Sequence, residues 1–140
     1  MRVTKAKLLA ELNKDIEGEY AALIQYVQHA AVITGAKYES IQKELLIHAQ
    51  EELQHAILLS DQVNYLGGFP SVGVGNIATA KNSLAMLKQD LAGERLAIRR
   101  YKERIAQAEA LREYGLRRVL EDILIQEEEH ERDLLTVVED

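Results

Sequence analysis

Glu52-Leu-Gln-His55 and, at an offset of 75, Glu127-Glu-Glu-His130 set a carboxylate and an imidazole three positions apart, twice in one chain. Each is preceded by a lone glutamate: the interval from Glu19 to Glu52 and His55 is the same as that from Glu94 to Glu127 and His130. Tyr26 and Tyr101 match at the same offset. On a helix, residues i and i+3 share a face one turn apart, so each Glu-x-x-His can present both side chains to one point. The pattern reads as an internal repeat in which two helical hairpins build one two-metal carboxylate site.

The composition suits that reading. Of 140 residues, 47% are apolar and only 5% aromatic, with a single Pro; such a chain favours long helices over a β-sandwich, and its length suits one domain, residues 1–140. The net charge of −6 argues against nucleic acid as a partner, because phosphate binding needs a basic surface. The run Arg99, Arg100, Lys102 and Arg104, interleaved with Glu103 and Glu109, reads as a solvated helix face. With no cysteine, disulfides, thiolate zinc sites and iron–sulfur clusters are excluded. The N-terminus lacks a signal-peptide core and no apolar run reaches membrane-spanning length, so no membrane partner and a cytoplasmic location are expected.

Apolar periodicity and breakers divide the chain into four helices, at about 4–34, 38–66, 82–112 and 116–138. Thr4 is a candidate N-cap, and Gly67-Gly68-Phe69-Pro70 is the strongest stop. In an antiparallel pair, residues at one height are equidistant from the turn. The ligand spacing therefore puts the first turn at Gly35-Ala36-Lys37 and the second near residues 111 and 112, slightly ahead of Gly115. The stretch of about 67–81 exceeds the usual bundle connection of about 2–8 residues. Fifteen extended residues reach roughly 50 Å at about 3.3 Å each. That exceeds the roughly 42 Å of a helix of about 28 residues at 1.5 Å rise, so the stretch reads as a crossover that makes helices two and three parallel. An all-α four-helix bundle is expected.

Six ligands follow: Glu19, Glu52, His55, Glu94, Glu127 and His130. Repeat symmetry makes Glu52 and Glu127 bridging, with Glu19 and His55 on one metal and Glu94 and His130 on the other. Four carboxylates neutralise two divalent ions, as a buried site requires. Mixed carboxylate and imidazole ligands suit two iron ions per chain, with manganese or zinc as alternatives. No Lys or Arg is expected on these inner stripes. Tyr26 and Tyr101, two turns beyond Glu19 and Glu94, are candidates to hydrogen-bond the ligand carboxylates. Asp90, Asp122 and Gln126 are candidates to orient the ligand imidazoles. His48 reads as a core histidine, with an auxiliary ion stop as the alternative, and His29 as structural. Glu128 and Glu129 face away from the site.

These residues resemble the ferritin-like di-iron carboxylate superfamily, and bacterioferritin most closely, over essentially the whole chain. The stretch from Leu12 through Glu19 to Tyr26 is similar to the bacterioferritin first helix, and the two Glu-x-x-His motifs with Glu94 complete its ferroxidase centre. The resemblance implies oxidation of Fe(II) by oxygen or hydrogen peroxide. Two departures matter. The position of the haem-ligating Met is Leu53, so no haem is expected. The chain stops at Asp140 without a fifth helix, which favours a homodimer over a cage. Rubrerythrin, a peroxidase needing an external electron donor, is the second resemblance, but its extra glutamate would fall at Ala97 and its cysteine-rich segment is absent. Iron storage with little turnover is a further alternative.

Overall fold

Thr4 starts the first helix by accepting a hydrogen bond from the Lys7 N–H at 3.1 Å, satisfying one of the free amides of the first turn. The computed structural model describes residues 2–138, and among them are four long helices: α1 (Lys5–Val32), α2 (Glu39–Tyr65), α3 (Ser83–Ala110) and α4 (Tyr114–Val138). A single 3-10 turn (Ala36–Tyr38) lies between α1 and α2. Asn82 caps α3 through the Ala85 N–H at 3.0 Å. No described helix is long and apolar enough to cross a membrane.

Cross-helix contacts fix the directions. As α1 advances through Glu11, Asp15, Glu19, Tyr26 and His29, its α3 partners recede through Gln107, Arg104, Tyr101, Glu94 and Asp90. The two helices are therefore antiparallel. The same holds for α1 with α2, through Glu19–His55 and Ala30–Gln42, and for α2 with α4, through His48–Asp133 and His55–Gln126. Helices α2 and α3 then run parallel, and the chain between them crosses the length of the bundle. Ser71 and Gly75 tie this crossover to α1, donating to the Glu17 carboxylate at 2.6 Å and the Glu17 carbonyl at 2.9 Å.

The apolar core is split in two. One cluster includes Leu12, Ile16, Leu59, Leu116 and Leu120; the other includes Ile41, Leu45, Leu87, Leu91 and Leu134. Adding 75 to Leu12, Ile16 and Leu59 gives Leu87, Leu91 and Leu134, and adding it to Ile41 and Leu45 gives Leu116 and Leu120. The repeat thus exchanges the two ends of the bundle, as a two-fold axis through its middle requires. Between the clusters lies a belt of buried polar side chains.

Helix ends explain where the turns fall. At the end of α2, Gly67 adopts φ 93°, its N–H bonds the Asn64 carbonyl and the Gly68 N–H bonds the Val63 carbonyl at 2.9 Å; this is a Schellman stop. Helix α3 ends the same way, with Glu113 N–H on the Ala108 carbonyl, but Arg112 at φ 60° takes the glycine's place. Gly115 instead lies within the first turn of α4. Because a side chain in the left-handed region costs roughly 1 kcal/mol, Arg112→Gly is expected to raise stability by about that amount in urea unfolding, with no change in helix content.

Candidate metal centre

The buried belt holds Glu19 (α1), Glu52 and His55 (α2), Glu94 (α3), and Glu127 and His130 (α4), all six at most 3% exposed. Ligand atoms of Glu19, Glu52, His55 and Glu127 lie within 4.8 Å of one another, as do those of Glu52, Glu94, Glu127 and His130. Glu52 and Glu127 belong to both groups. Each imidazole turns Nδ1 inward: that of His55 is 3.2 Å from Glu19 and from Glu52, and that of His130 is 3.2 Å from Glu127 and 3.3 Å from Glu94.

The outward nitrogens are held by neighbours. His55 Nε2 pairs with the Gln126 side-chain oxygen at 2.5 Å, and His130 Nε2 with Glu51 at 2.9 Å. Gln126 in turn donates to Glu51 at 3.1 Å, so one chain of hydrogen bonds joins both imidazoles across α2 and α4. Of the three residues expected to orient the imidazoles, only Gln126 does so. Asp122 pairs with Arg118 at the surface, and Asp90 binds His29 Nδ1 at 2.9 Å. Sequence reasoning misses Glu51, although it is the repeat counterpart of Gln126, and the repeat is the signal that could have found it.

The tyrosines act across the bundle. Tyr26 on α1 donates to Glu94 on α3, and Tyr101 on α3 donates to Glu19 on α1, both at 2.6 Å. Burial, reinforced by the nearby carboxylates, raises both phenols well above their ordinary pKa, so they stay protonated donors. His48 is also buried: it stacks on His130 at 4.0 Å and meets Tyr26 edge-on at 5.1 Å.

One expectation is corrected at the edge of the belt. Arg104 is not on a solvated face but 3% exposed, bonded through Nε to Asp15 at 2.7 Å and through Nη1 to Glu11 and Gln107. Asp15 is itself buried, and a buried carboxylate needs such a partner. Arg104 therefore does lie on an inner stripe, close to the six residues. His29 and Asp90 form the matching pair at the other end, since both pairs are related by the same offset of 75.

A cleft of about 470 Å³ opens between α1 and α3 and reaches Glu19, Glu52, Glu94 and Glu127. Gly18 and Gly93, with Ala22 and Ala97, line it as repeat-related small residues. The crossover residues Val74, Gly75 and Asn76 form one wall. Sequence reasoning found no such space, because small side chains carry no signal of what they leave open.

Electrostatically the belt is incomplete on its own. Burial, then repulsion from Glu127, Glu19 and Glu94, holds the Glu52 carboxyl well above its ordinary pKa, and burial with Glu94 and Glu19 pushes Glu127 up to about 8. Burial alone would discharge the imidazoles, but Glu19 holds His55 up at about 9, and Glu127 with Glu94 holds His130 up at about 11. Even so, Glu52 Oε1, Glu94 Oε2 and both Glu127 oxygens are buried without a hydrogen-bond partner. Such orphaned oxygens are costly in a protein interior, and inward carboxylate oxygens beside inward imidazole nitrogens are what a pair of divalent cations would satisfy. The residues fit that cargo.

A pH dependence follows. Each of these groups binds its proton more tightly when folded than unfolded, so the folded chain holds more protons and cation-free stability falls as pH rises. The loss spans the ordinary carboxyl range up to about 8 for Glu127 and continues from the ordinary imidazole range to about 9 for His55. The melting temperature of chelator-treated protein is expected to drop steadily between pH 6 and pH 9. Divalent cations should abolish the drop, and an apo melting temperature that rises with pH would contradict this electrostatic account.

Comparison with known proteins places the geometry. A family model for the ferritin-like domain matches residues 9–140. A bacterial ferritin from Synechocystis is 32% identical, over 89% of this chain and 81% of that protein, and a nutrient stress-induced DNA-binding protein from Nostoc is 28% identical, over 91% and 75%. A solved ferritin-like, diiron-carboxylate protein from Bacillus anthracis superposes with a TM-score of 0.91 at 29% identity, covering 95% of this chain and 96% of that one. A dodecameric thioferritin from Bacteroides fragilis, described as bacterioferritin-related, also gives 0.91, at 32% identity and coverage of 99% and 88%. With its family match and its four-helix bundle, this chain belongs to the ferritin-like family.

Proposed function

We propose that the protein is a di-iron ferroxidase that oxidises Fe(II) with oxygen or hydrogen peroxide at Glu19, Glu52, His55, Glu94, Glu127 and His130. The observation that carries this reading is the set of orphaned, fully buried carboxylate oxygens at the centre of the bundle. The bacterial ferritins and diiron-carboxylate proteins among its relatives support it.

Glu52 and Glu127 would help to hold both ions, since each belongs to both ligand groups. Glu19 with His55 and Glu94 with His130 complete the two halves. Bound as a pair, two irons supply two electrons at once to one oxidant. With hydrogen peroxide, two Fe(II) and two protons give two Fe(III) and two waters; with oxygen, the same two electrons and two protons give hydrogen peroxide. The protein's part is to bind, orient and exclude water. Tyr26 and Tyr101 each hold one terminal glutamate, and the chain through Gln126 and Glu51 holds both imidazoles with Nδ1 inward. Fe(II) and oxidant enter by the cleft between α1 and α3, whose wall displays Glu17, Asp15 and Glu19.

A peroxidase of the rubrerythrin kind, drawing electrons from another protein, is the second reading. Ala97 weighs against it, since it lines the cleft where that family's extra carboxylate would stand. The DNA-binding name of the Nostoc relative finds no counterpart in a charge of −6, which would repel phosphate. A homodimer remains our proposal for the assembly, with the dodecamer of the Bacteroides fragilis protein as the alternative that light scattering would reveal.

Stopped-flow mixing of Fe(II)-loaded protein with oxygen or peroxide, followed by ferric absorbance, tests the reading. Oxidation well above the rate of free iron, with repeated turnover under excess Fe(II), is expected. Glu52→Ala and His130→Ala should abolish it. Glu51→Gln, which alters only the partner of His130 and Gln126, should weaken iron binding by roughly 10- to 100-fold. Oxidation no faster than that of free iron would overturn the proposal.

A further inference from the structure

Inside the buried belt the two halves match closely. Each imidazole Nδ1 lies 3.2 or 3.3 Å from the two carboxylates of its own half and 3.7 Å from the one across. Each terminal glutamate accepts from a phenol at 2.6 Å. The symmetry breaks at the outward nitrogens. His130 Nε2 meets a carboxylate, that of Glu51, at 2.9 Å, whereas His55 Nε2 meets an amide oxygen, that of Gln126, at 2.5 Å. Residues 51 and 126 are repeat counterparts, so the difference falls on equivalent positions.

Hydrogen-bonding capacity fixes the protons along this chain. An ionised Glu51 only accepts, so its contact with Gln126 at 3.1 Å must come from the amide NH2, which turns the amide oxygen towards His55. Both Nε2 atoms then keep a proton, and the inward Nδ1 of each ring is the nitrogen left to take a cation. Glu51 thus sets both rings, His130 directly and His55 through Gln126. The two holds differ in strength. An imidazole N–H that donates to a carboxylate makes the opposite nitrogen a more basic ligand, and hydrogen bonds to ionised acceptors are roughly twice as strong as those between neutral groups. Glu51 also puts a negative charge behind His130, while a neutral amide stands behind His55.

We propose that the two halves of the pair bind divalent cations unequally: the half of Glu94 and His130, backed by Glu51, fills first and holds harder, and the half of Glu19 and His55, backed by Gln126, fills second and releases first. The inequality rests on reading the six residues as a two-cation site, and it holds whether or not iron is oxidised there.

Co(II), which is not oxidised under these conditions, is the probe. Its affinity for cation-free protein is measured by titration calorimetry in Glu19→Gln, which leaves the half of Glu94 and His130, and in Glu94→Gln, which leaves the other, with helix content checked by circular dichroism. Glu19→Gln should bind its remaining Co(II) about 10-fold or more tightly than Glu94→Gln does. Each is then combined with the exchange Glu51→Gln/Gln126→Glu, which keeps a carboxylate bonded to an amide but gives the carboxylate to His55; the order of affinities should reverse. His48 stacks on His130 and has Ile123 as its counterpart, a second departure from the repeat that the exchange leaves in place. An order that does not reverse would therefore overturn the role of Glu51, and equal affinities in Glu19→Gln and Glu94→Gln would overturn the inequality itself. Unequal Co(II) binding with iron oxidation no faster than that of free iron would leave this inference standing and remove only the ferroxidase reading.

Discussion

Four glutamates packed into one dry layer of a helical bundle repel each other and lose their hydration, and nearly every other feature of this chain can be read as a response to that constraint. Glu52 and Glu127 bear it most heavily, as their raised affinity for protons indicates. Two imidazoles supply positive charge from within the layer, and two phenols supply hydrogen bonds from its edge. Two separate apolar clusters, above and below, keep the helices together while the layer between them pushes apart. Because net stability of a domain is only about 5–15 kcal/mol, a layer of this kind is tolerable chiefly as a receptacle for cations.

Internal symmetry shows which features the layer requires and which are adaptable. The six central residues and the two tyrosines are identical in type across the repeat. One step outward, the chemistry diverges while its purpose persists: buried Asp15 is hydrogen-bonded by Arg104, and its counterpart Asp90 by His29. Glu51 and Gln126 likewise do the same task for opposite imidazoles with different polarity, which lets them bond to one another. Divergence that preserves a hydrogen-bonding partner indicates a structural demand.

Much of this was legible in the chain because the information was carried by spacing. A ligand layer fixes the height of four helices relative to each other, so the matched intervals from Glu19 to His55 and from Glu94 to His130 imply antiparallel hairpins and a turn ahead of Gly115. The structure has that turn at Leu111–Glu113, closed by Arg112 in a conformation that glycine usually supplies. Composition misled where spacing was not consulted. Arg104 sits in a run of charges that looks solvated, and only its place as the repeat counterpart of His29 hints that it faces inward. The cleft was invisible because Gly18, Gly93, Ala22 and Ala97 act by what they do not fill.

The two sides of the layer are built differently, and on the ferroxidase reading that difference sets the direction of traffic. Between α1 and α3 the small residues Gly18, Ala22, Gly93 and Ala97 leave a cleft that reaches all four carboxylates. Between α2 and α4 the layer is shut by His55, Gln126, Glu51 and His130, linked end to end. A reactant therefore meets carboxylate oxygens first on one side and the backs of imidazoles on the other. Oxidised iron leaving towards α2 and α4 would have to displace that chain of hydrogen bonds, whereas iron leaving through the cleft need not.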